Sequence, residues 1–317
     1  MALFLRDEEV SRCVSMDDMV PSIEDMQRHF GQGEVSNLPR RKIVAPSGQL
    51  AVMGGGLFYD GVLGVKTYTV VQGKYSFQVS LYNASDGTLL CYTQANRLGQ
   101  LRTGATSAIA CKYLSKTNAS TVGIIGTGYQ APTQLEAISK VRNIKEIRAY
   151  SRNRSNLETF ASTMSAFLGI NVVPAATNQA AVEGSDIVIC MAATMEPVVN
   201  GDWASPGITV IGAGPTTWRA REVDDAVISK AAKIFVDSLD QAPYEAGDMA
   251  SMVDRGLLQW SKLSELRHAV AGSIAGRDND QQVIYAKMMG TGVADVAAAK
   301  LAYDRAKATG LGTEMEW

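Results

Sequence analysis

Residues 121–131 read TVGIIGTGYQA, an apolar run that breaks into Gly126-x-Gly128-x-x-Ala131 before a helix-compatible stretch. Glycine at the first position permits a tight strand-to-helix turn. Glycine at the second lets backbone approach a ligand, and the small Ala131 lets helix and strand pack closely. The free N–H groups and positive end of the new helix then face an anion. This is chemistry for a pyrophosphate, so Gly126, Thr127, Gly128, Tyr129, Gln130 and Ala131 are candidate dinucleotide contacts. A second strand, Glu146 to Tyr150, follows at the distance of a βαβ unit and leads into Ser151-Arg152-Asn153-Arg154. A carboxylate at its end would bind a ribose 2′-hydroxyl. Ser151, Arg152 and Asn153 suit a 2′-phosphate instead, which favours NADP(H), with NAD(H) as the alternative.

Three cations stand out in the first half: Arg41 with Arg40 beside it, Lys66, and Arg102. Lys66 interrupts the apolar run VLGVKTYTVV, where strand alternation puts it on the face of Val62, Tyr68 and Val70. A lysine there must snorkel out or meet an anion. Arg102 precedes the small-residue stretch TGATSAIA, read as the start of a helix that could itself face phosphate or carboxylate. Each cation alone fits a structural ion pair equally well. Together they suit a clamp on a substrate carboxylate.

The elements that must position these groups fall into two patterns. Residues 3 to about 32 suggest a short strand and then a helix capped by Ser15. From Lys42 to Thr93, short apolar runs punctuated by glycine and by Ser85-Asp86-Gly87 predict antiparallel strands. Leu101 to Leu114 returns to helical spacing. From residue 121, strands and helices alternate through TVGIIG, EIRAY, NVVPA, DIVICMAA, TVIGAG and KIFVDS, and Val293 to Ala308 closes the chain as a helix expected to pack on the N-terminal domain. The fold class is α/β: a doubly wound parallel Rossmann sheet over residues 118–292, and a β-rich substrate-binding and dimerisation domain over 1–117 with 293–317. The edges and apolar runs of that β-rich part predict a homodimer.

Composition narrows the classes further. With 20% charged residues and a net charge of −2 in 317 residues, there is no basic footprint for nucleic acid or an anionic membrane. Charges at Arg6 to Glu9 stand where a signal peptide would need its apolar stretch, so a cytoplasmic location is expected. Cys13, Cys91, Cys111 and Cys190 lack CxxC spacing, and with only His29 and His268 beside them no metal site is expected.

Taken in order and spacing, RTGATS (102–107), GIIGTGYQA, TVIGAG, VDSLDQAPYEAGD (236–248) and GTGVADVAAAKLAYD (290–304) resemble the ornithine cyclodeaminase and mu-crystallin family over essentially the whole chain. The resemblance implies a β-rich dimerisation domain paired with a Rossmann domain. It also implies an arginine, lysine and arginine clamp falling on Arg41, Lys66 and Arg102, with Arg40 as the other choice of register. Thr103, Ala193, Thr194, Gly212 and Gly292 join the candidates for contact with the dinucleotide. Cyclodeaminases carry an aspartate where this chain has Gly214. That departure resembles the reductase side of the family and puts ornithine cyclisation in doubt. The implied activity is an NADP(H)-dependent reductase giving an L-amino acid from a 2-imino acid or cyclic ketimine, or the reverse oxidation, with Lys66 as clamp, proton donor or both. An NAD-dependent cyclodeaminase and a non-enzymatic crystallin-type binding protein are the alternatives. The partner in every case is a small molecule with an α-carboxylate.

Overall fold

A computed structural model describes residues 1–316, and the chain divides into two compact units: Met1–Thr106 with Gly290–Trp317, and Ser107–Met289. The first unit begins with β1 (Ala2–Leu5), α1 (Asp7–Cys13) and α2 (Met16–Gly31). Five strands follow: β2 (Val35–Ala45), β3 (Gly48–Leu57), β4 (Val62–Val71), β5 (Lys74–Asn83) and β6 (Leu89–Gln94). Helix α3 (Asn96–Leu114) leaves this unit.

The second unit alternates β7 (Thr121–Ile125), α4 (Ala131–Val141), β8 (Glu146–Tyr150), α5 (Arg154–Leu168), β9 (Asn171–Pro174), α6 (Asn178–Val182), β10 (Ile187–Cys190) and β11 (Thr209–Gly212). It continues through α7 (Asp225–Lys230), β12 (Ala231–Val236), α8 (Ala242–Glu245), α9 (Gly247–Asp254), β13 (Ser264–Glu265), α10 (Leu266–Val270) and β14 (Val283–Lys287). The chain then returns to the first unit as α11 (Gly292–Thr309) and β15 (Thr313–Met315).

The first unit is built on a seven-stranded sheet of order β15-β1-β6-β5-β4-β3-β2. Its pairings from β2 to β6 are antiparallel, as the turn signals predict, while β1 pairs with β6 in parallel. Ser15 caps α2 as expected: its hydroxyl accepts from the Asp18 N–H, and the Asp18 carboxylate accepts from the Ser15 N–H. Helix α11 packs on β3 and β4 of this unit. What lets it approach is a run of glycines on the strands. A Cβ at Gly55 would lie 2.7 Å from the Val293 side chain, and one at Gly64 would lie 2.8 Å from Val296. At the first turn of α11 the approach is backbone to backbone, since a Cβ on Gly292 would lie 2.4 Å from Gly54.

The start of α3 corrects the sequence reading. The helix begins at Asn96 rather than at Thr103, so Arg102 lies inside it and the stretch TGATSAIA offers no free helix N-terminus to an anion. The cap comes from far away in sequence: the Asp7 carboxylate accepts from the Arg97 N–H at 2.9 Å and from the Asn96 side chain at 2.6 Å.

The second unit carries an eight-stranded sheet of order β13-β12-β14-β11-β10-β7-β8-β9, parallel throughout. Strands β10, β11 and β14 are buried along their full length, which is why they read as continuous apolar runs rather than as alternating ones. Strand order reverses between β7 and β10, and a doubly wound sheet opens its ligand crevice at the carboxyl ends of the strands at that point.

The close approach of α11 gives a direct test. Gly292→Ala should cost at least about 1–3 kcal/mol, because a methyl group there must displace the Gly54 backbone. Denaturant unfolding should show a lowered midpoint; an unchanged midpoint would refute the packing argument.

Candidate active site

In the second unit the glycine turn stands as its spacing predicts. Gly126 ends β7 with φ +100°, a conformation that disfavours a side chain, and a Cβ there would lie 2.6 Å from the Met191 carbonyl oxygen. Gly128 has open space where its Cβ would be, so its backbone is free to meet a phosphate. Ala131 begins α4, and Gln130 stands at the cap position without a side-chain cap bond. Tyr129 is exposed.

A cavity of about 380 Å³ opens beside this turn. It is lined by Gly126, Thr127 and Gly128 from the turn, by Ser151 and Arg152 after β8, and by Ala193 and Thr194 after β10. Asn178, at the start of α6, also lines it, and its side-chain oxygen is buried without a hydrogen-bond partner. Open space over Gly128, cationic Arg152 and an orphaned amide oxygen all fit a nucleotide. Sequence reasoning missed Asn178, whose only signal was a polar residue at a helix start after the third strand of the sheet.

Other expected contacts are engaged differently. Asn153 caps α5, its side-chain oxygen accepting from the Asn156 N–H at 3.0 Å. Gly212 ends β11 against the Tyr285 hydroxyl and the Glu222 carboxylate. Thr103 and Gly292 belong to the first unit, where the Thr103 hydroxyl donates to the Gly99 carbonyl at 2.7 Å and Gly292 serves the α11 contact described above.

In the first unit Lys66 projects from β4 on the predicted face and is only 2% exposed. Its Nζ donates to Asp295 Oδ1 at 2.8 Å and lies 5.1 Å from the centre of the Phe77 ring. Arg102 Nε donates to the same Asp295 oxygen at 2.9 Å. Asp295 is fully buried in the first turns of α11, and its other oxygen has no hydrogen-bond partner.

The third cation differs from the one chosen by sequence register. Arg40 is buried, and its guanidinium donates to the Gly290 carbonyl at 3.3 Å, whereas Arg41 is exposed. The resemblance places the clamp on Arg41 with Arg40 as the other register; the register of β2 against β3 shifts between Leu38 and Arg41, and at this bulge Arg40 is buried and Arg41 exposed. Gly290 is the meeting point of the two arginines: its φ is +81°, and a Cβ there would lie 2.6 Å from Arg102 Nη1. The fold therefore gathers Arg40, Lys66 and Arg102 and leaves Arg41 at the surface.

Two buried cations, Lys66 and Arg102, share one buried carboxylate, with Arg40 buried nearby on the Gly290 carbonyl. Burial pushes Lys66 down to about 8, against the opposing pull of Asp295, and Arg102 and Arg40 lower it further. Burial alone would raise Asp295, but the charges of Arg102 and Lys66 prevail and hold it below its usual range. Excess buried positive charge is costly unless an anion joins it, so the arrangement is suited to receiving a carboxylate. Asp295 was not among the residues chosen from sequence, because an aspartate in an alanine-rich helix carries no local sign that it faces two distant cations. Among the described residues no cluster of three or more His, Cys, Asp or Glu is arranged to hold a metal ion.

A doubly wound parallel sheet, a glycine-rich nucleotide turn and a buried cationic cluster define the class of this protein as an NAD(P)-dependent oxidoreductase. The chain belongs to the ornithine cyclodeaminase/mu-crystallin family, whose model matches residues 2–310. It is 31% identical to the ketimine reductase mu-crystallin of Mus musculus, over 95% of this chain and 96% of that protein. It superposes with a TM-score of 0.94 on the Thermococcus litoralis Δ1-pyrroline-2-carboxylate reductase in complex with NADH and L-proline, at 31% identity over 99% of this chain and 100% of the other. An archaeal alanine dehydrogenase dimer with bound NAD gives a TM-score of 0.94 at 28% identity, covering 100% of this chain and 99% of the other.

The shared carboxylate is open to test. Removing one partner from a buried ionic cluster costs roughly 3–5 kcal/mol, so Asp295→Ala should lose about that much stability at neutral pH. Because Asp295 is held low, its contribution is complete above the ordinary carboxylate range and fades only as the pH falls below that range. The deficit in denaturant unfolding should therefore narrow on acidification; a deficit independent of pH would contradict the ionic account.

Proposed function

We propose that the protein is an NADP(H)-dependent reductase that converts a 2-imino acid or cyclic ketimine to an L-amino acid, and that catalyses the reverse oxidation when the equilibrium favours it. The observation that carries this reading is that two buried cations, Lys66 and Arg102, converge on one oxygen of Asp295, with Arg40 buried on the Gly290 carbonyl beside Arg102. These residues bind the substrate's α-carboxylate, and the two arginines can each contribute a planar fork of donors. Burial loosens the Lys66 proton, and Lys66 holds that proton at Nζ for delivery to the developing amine. The nicotinamide cofactor, when bound, supplies the hydride. Gly126, Thr127, Gly128, Ser151, Arg152, Ala193 and Thr194 hold its pyrophosphate and ribose ends. The ketimine reductase and pyrroline-2-carboxylate reductase relatives support an imino acid as substrate, and the alanine dehydrogenase relative supports the reverse direction.

The preference for NADP(H) rests on Ser151 and Arg152 at the edge of the cavity with no carboxylate among its lining residues. We also infer a homodimer built on the first unit. Its edge strand β2 is eleven residues long and exposes Leu38, Ile43 and Val44, and Leu63, Val71 and Tyr75 are exposed on β4 and β5. Light scattering should give about twice the 33.9 kDa chain mass; a monomer mass would reject this inference.

Two kinetic outcomes follow from the reading. Arg152→Ala should lose most of an at least tenfold preference for NADPH over NADH, the scale of one charge-assisted hydrogen bond at about 1.5–3 kcal/mol. Equal kcat/KM for the two cofactors in the unaltered enzyme would reject the cofactor assignment. In the reductive direction kcat/KM should fall as pH rises through about 8, where Lys66 of the substrate-free protein loses its proton, and Lys66→Met should lose both rate and this descending limb. Arg102→Lys should lower kcat/KM for the imino acid by roughly tenfold to a thousandfold while NADPH binding changes little.

A further inference from the structure

The second unit contains a buried ionic cluster that neither the clamp nor the cavity uses. Lys287, the last residue of β14, is fully buried, and its Nζ lies 2.8 Å from Glu222 Oε2 and 2.9 Å from Asp248 Oδ2. Asp248 Oδ1 in turn accepts from the backbone N–H groups of Glu222 and Val223, at 2.5 and 3.0 Å. The Tyr285 hydroxyl and the Cys190 thiol complete the surroundings, and burial raises both above their ordinary ranges. Burial also pushes Glu222 up to about 7, against the pull of Lys287. Two carboxylates and one ammonium in an apolar interior are an expensive way to hold a fold together, and a well-packed apolar group would usually serve as well.

What the cluster grips is the turn after β11. Glu222 Oε2 accepts from the Gly214 N–H at 3.1 Å. The same carboxylate lies in a cup formed by two glycines. A Cβ on Gly212 would lie 3.1 Å from Oε2 and 2.8 Å from the Tyr285 hydroxyl, and a Cβ on Gly214 would lie 2.4 Å from Oε1 and 2.9 Å from the Ala192 carbonyl oxygen. Oε1 is buried without a hydrogen-bond partner. Neither glycine has a positive φ, so space rather than backbone conformation demands them. Ala192 lines the nucleotide cavity, and β11 is the next strand beyond β10, away from the pyrophosphate turn on β7. The 212–214 turn thus backs the cavity wall on the side away from the pyrophosphate, where the nicotinamide end of a dinucleotide must extend.

We propose that Glu222 is a positioning residue of the redox site: anchored by Lys287 and Asp248, it fixes the Gly212–Gly214 turn against the cavity wall and occupies the space any side chain at position 214 would need. This rests on the reductase reading, and it gives a physical reason why no acid stands at position 214 in this chain. The carboxylate behind the turn and a side chain within it compete for one volume.

The test uses the whole protein with two independent readouts. In cofactor-free thermal melts, Gly214→Ala should lower the melting temperature by several degrees, and should cost less than half as much in a Glu222→Ala background. Additive losses would overturn the steric part of the proposal. In fluorescence titrations with NADPH, the isosteric Glu222→Gln should bind about tenfold more weakly, the factor that corresponds to about 1.4 kcal/mol. A cluster that serves stability alone would lower the melting temperature of Glu222→Gln and leave its NADPH affinity intact, and that result would overturn the positioning role. If Glu222→Ala does not fold, Glu222→Gln decides the matter through the titration. Failure of the unaltered protein to bind either NADPH or NADH would instead overturn the cofactor reading and this inference with it, whereas normal binding that ignores Glu222→Gln overturns only the inference.

Discussion

Asp295 is the residue around which the first unit is organised. A carboxylate with no exposure to water must be balanced, and here Lys66 from β4 and Arg102 from α3 both bond to one of its oxygens. That bond requires α11 to lie close against the sheet. The closeness in turn requires Gly55 and Gly64 on the strands and Gly292 on the helix, because a methyl group at any of the three would strike the opposing element. Arg102 is further placed by α3, whose N-terminus is capped by Asp7. Thus the cationic site depends on a stack of close backbone contacts, and the residues that make those contacts are far apart in sequence.

The second unit solves a different problem with similar means. Its central strands are buried on both faces, so polar groups can enter only where a ligand or a partner charge awaits them. At the carboxyl ends of β7 and β10 the polar groups are backbone N–H groups and side chains lining a cavity. At the end of β14 they are Lys287 and the two carboxylates it holds. Both places sit at the same end of the sheet, which is where a doubly wound fold binds its ligand. The protein thus holds two buried ionic clusters of opposite excess: Lys66 and Arg102 share Asp295 in the first unit, and Glu222 and Asp248 share Lys287 in the second.

The glycine turn and the parallel strands of the second unit were legible in the sequence. A glycine turn between a buried strand and a helix is a local object, and strand, turn and helix are contiguous, so Gly126, Gly128, Ala131, Ser151 and Arg152 were legible from spacing alone. Lys66 was legible too, because strand alternation puts a lysine on an apolar face and an anion must then answer it. Only the tertiary structure decided which anion that is, which of Arg40 and Arg41 turns inward, and where α3 begins. Each of those depends on groups distant along the chain: Asp295 lies 229 residues from Lys66, Asp7 lies 90 residues from Arg97, and a bulge in β2 resets the alternation just before Arg41. The cluster of Glu222, Asp248 and Lys287 was hidden for the same reason. Local pattern reports which face a residue takes, whereas a buried charge is explained only by the partner that the fold brings to it.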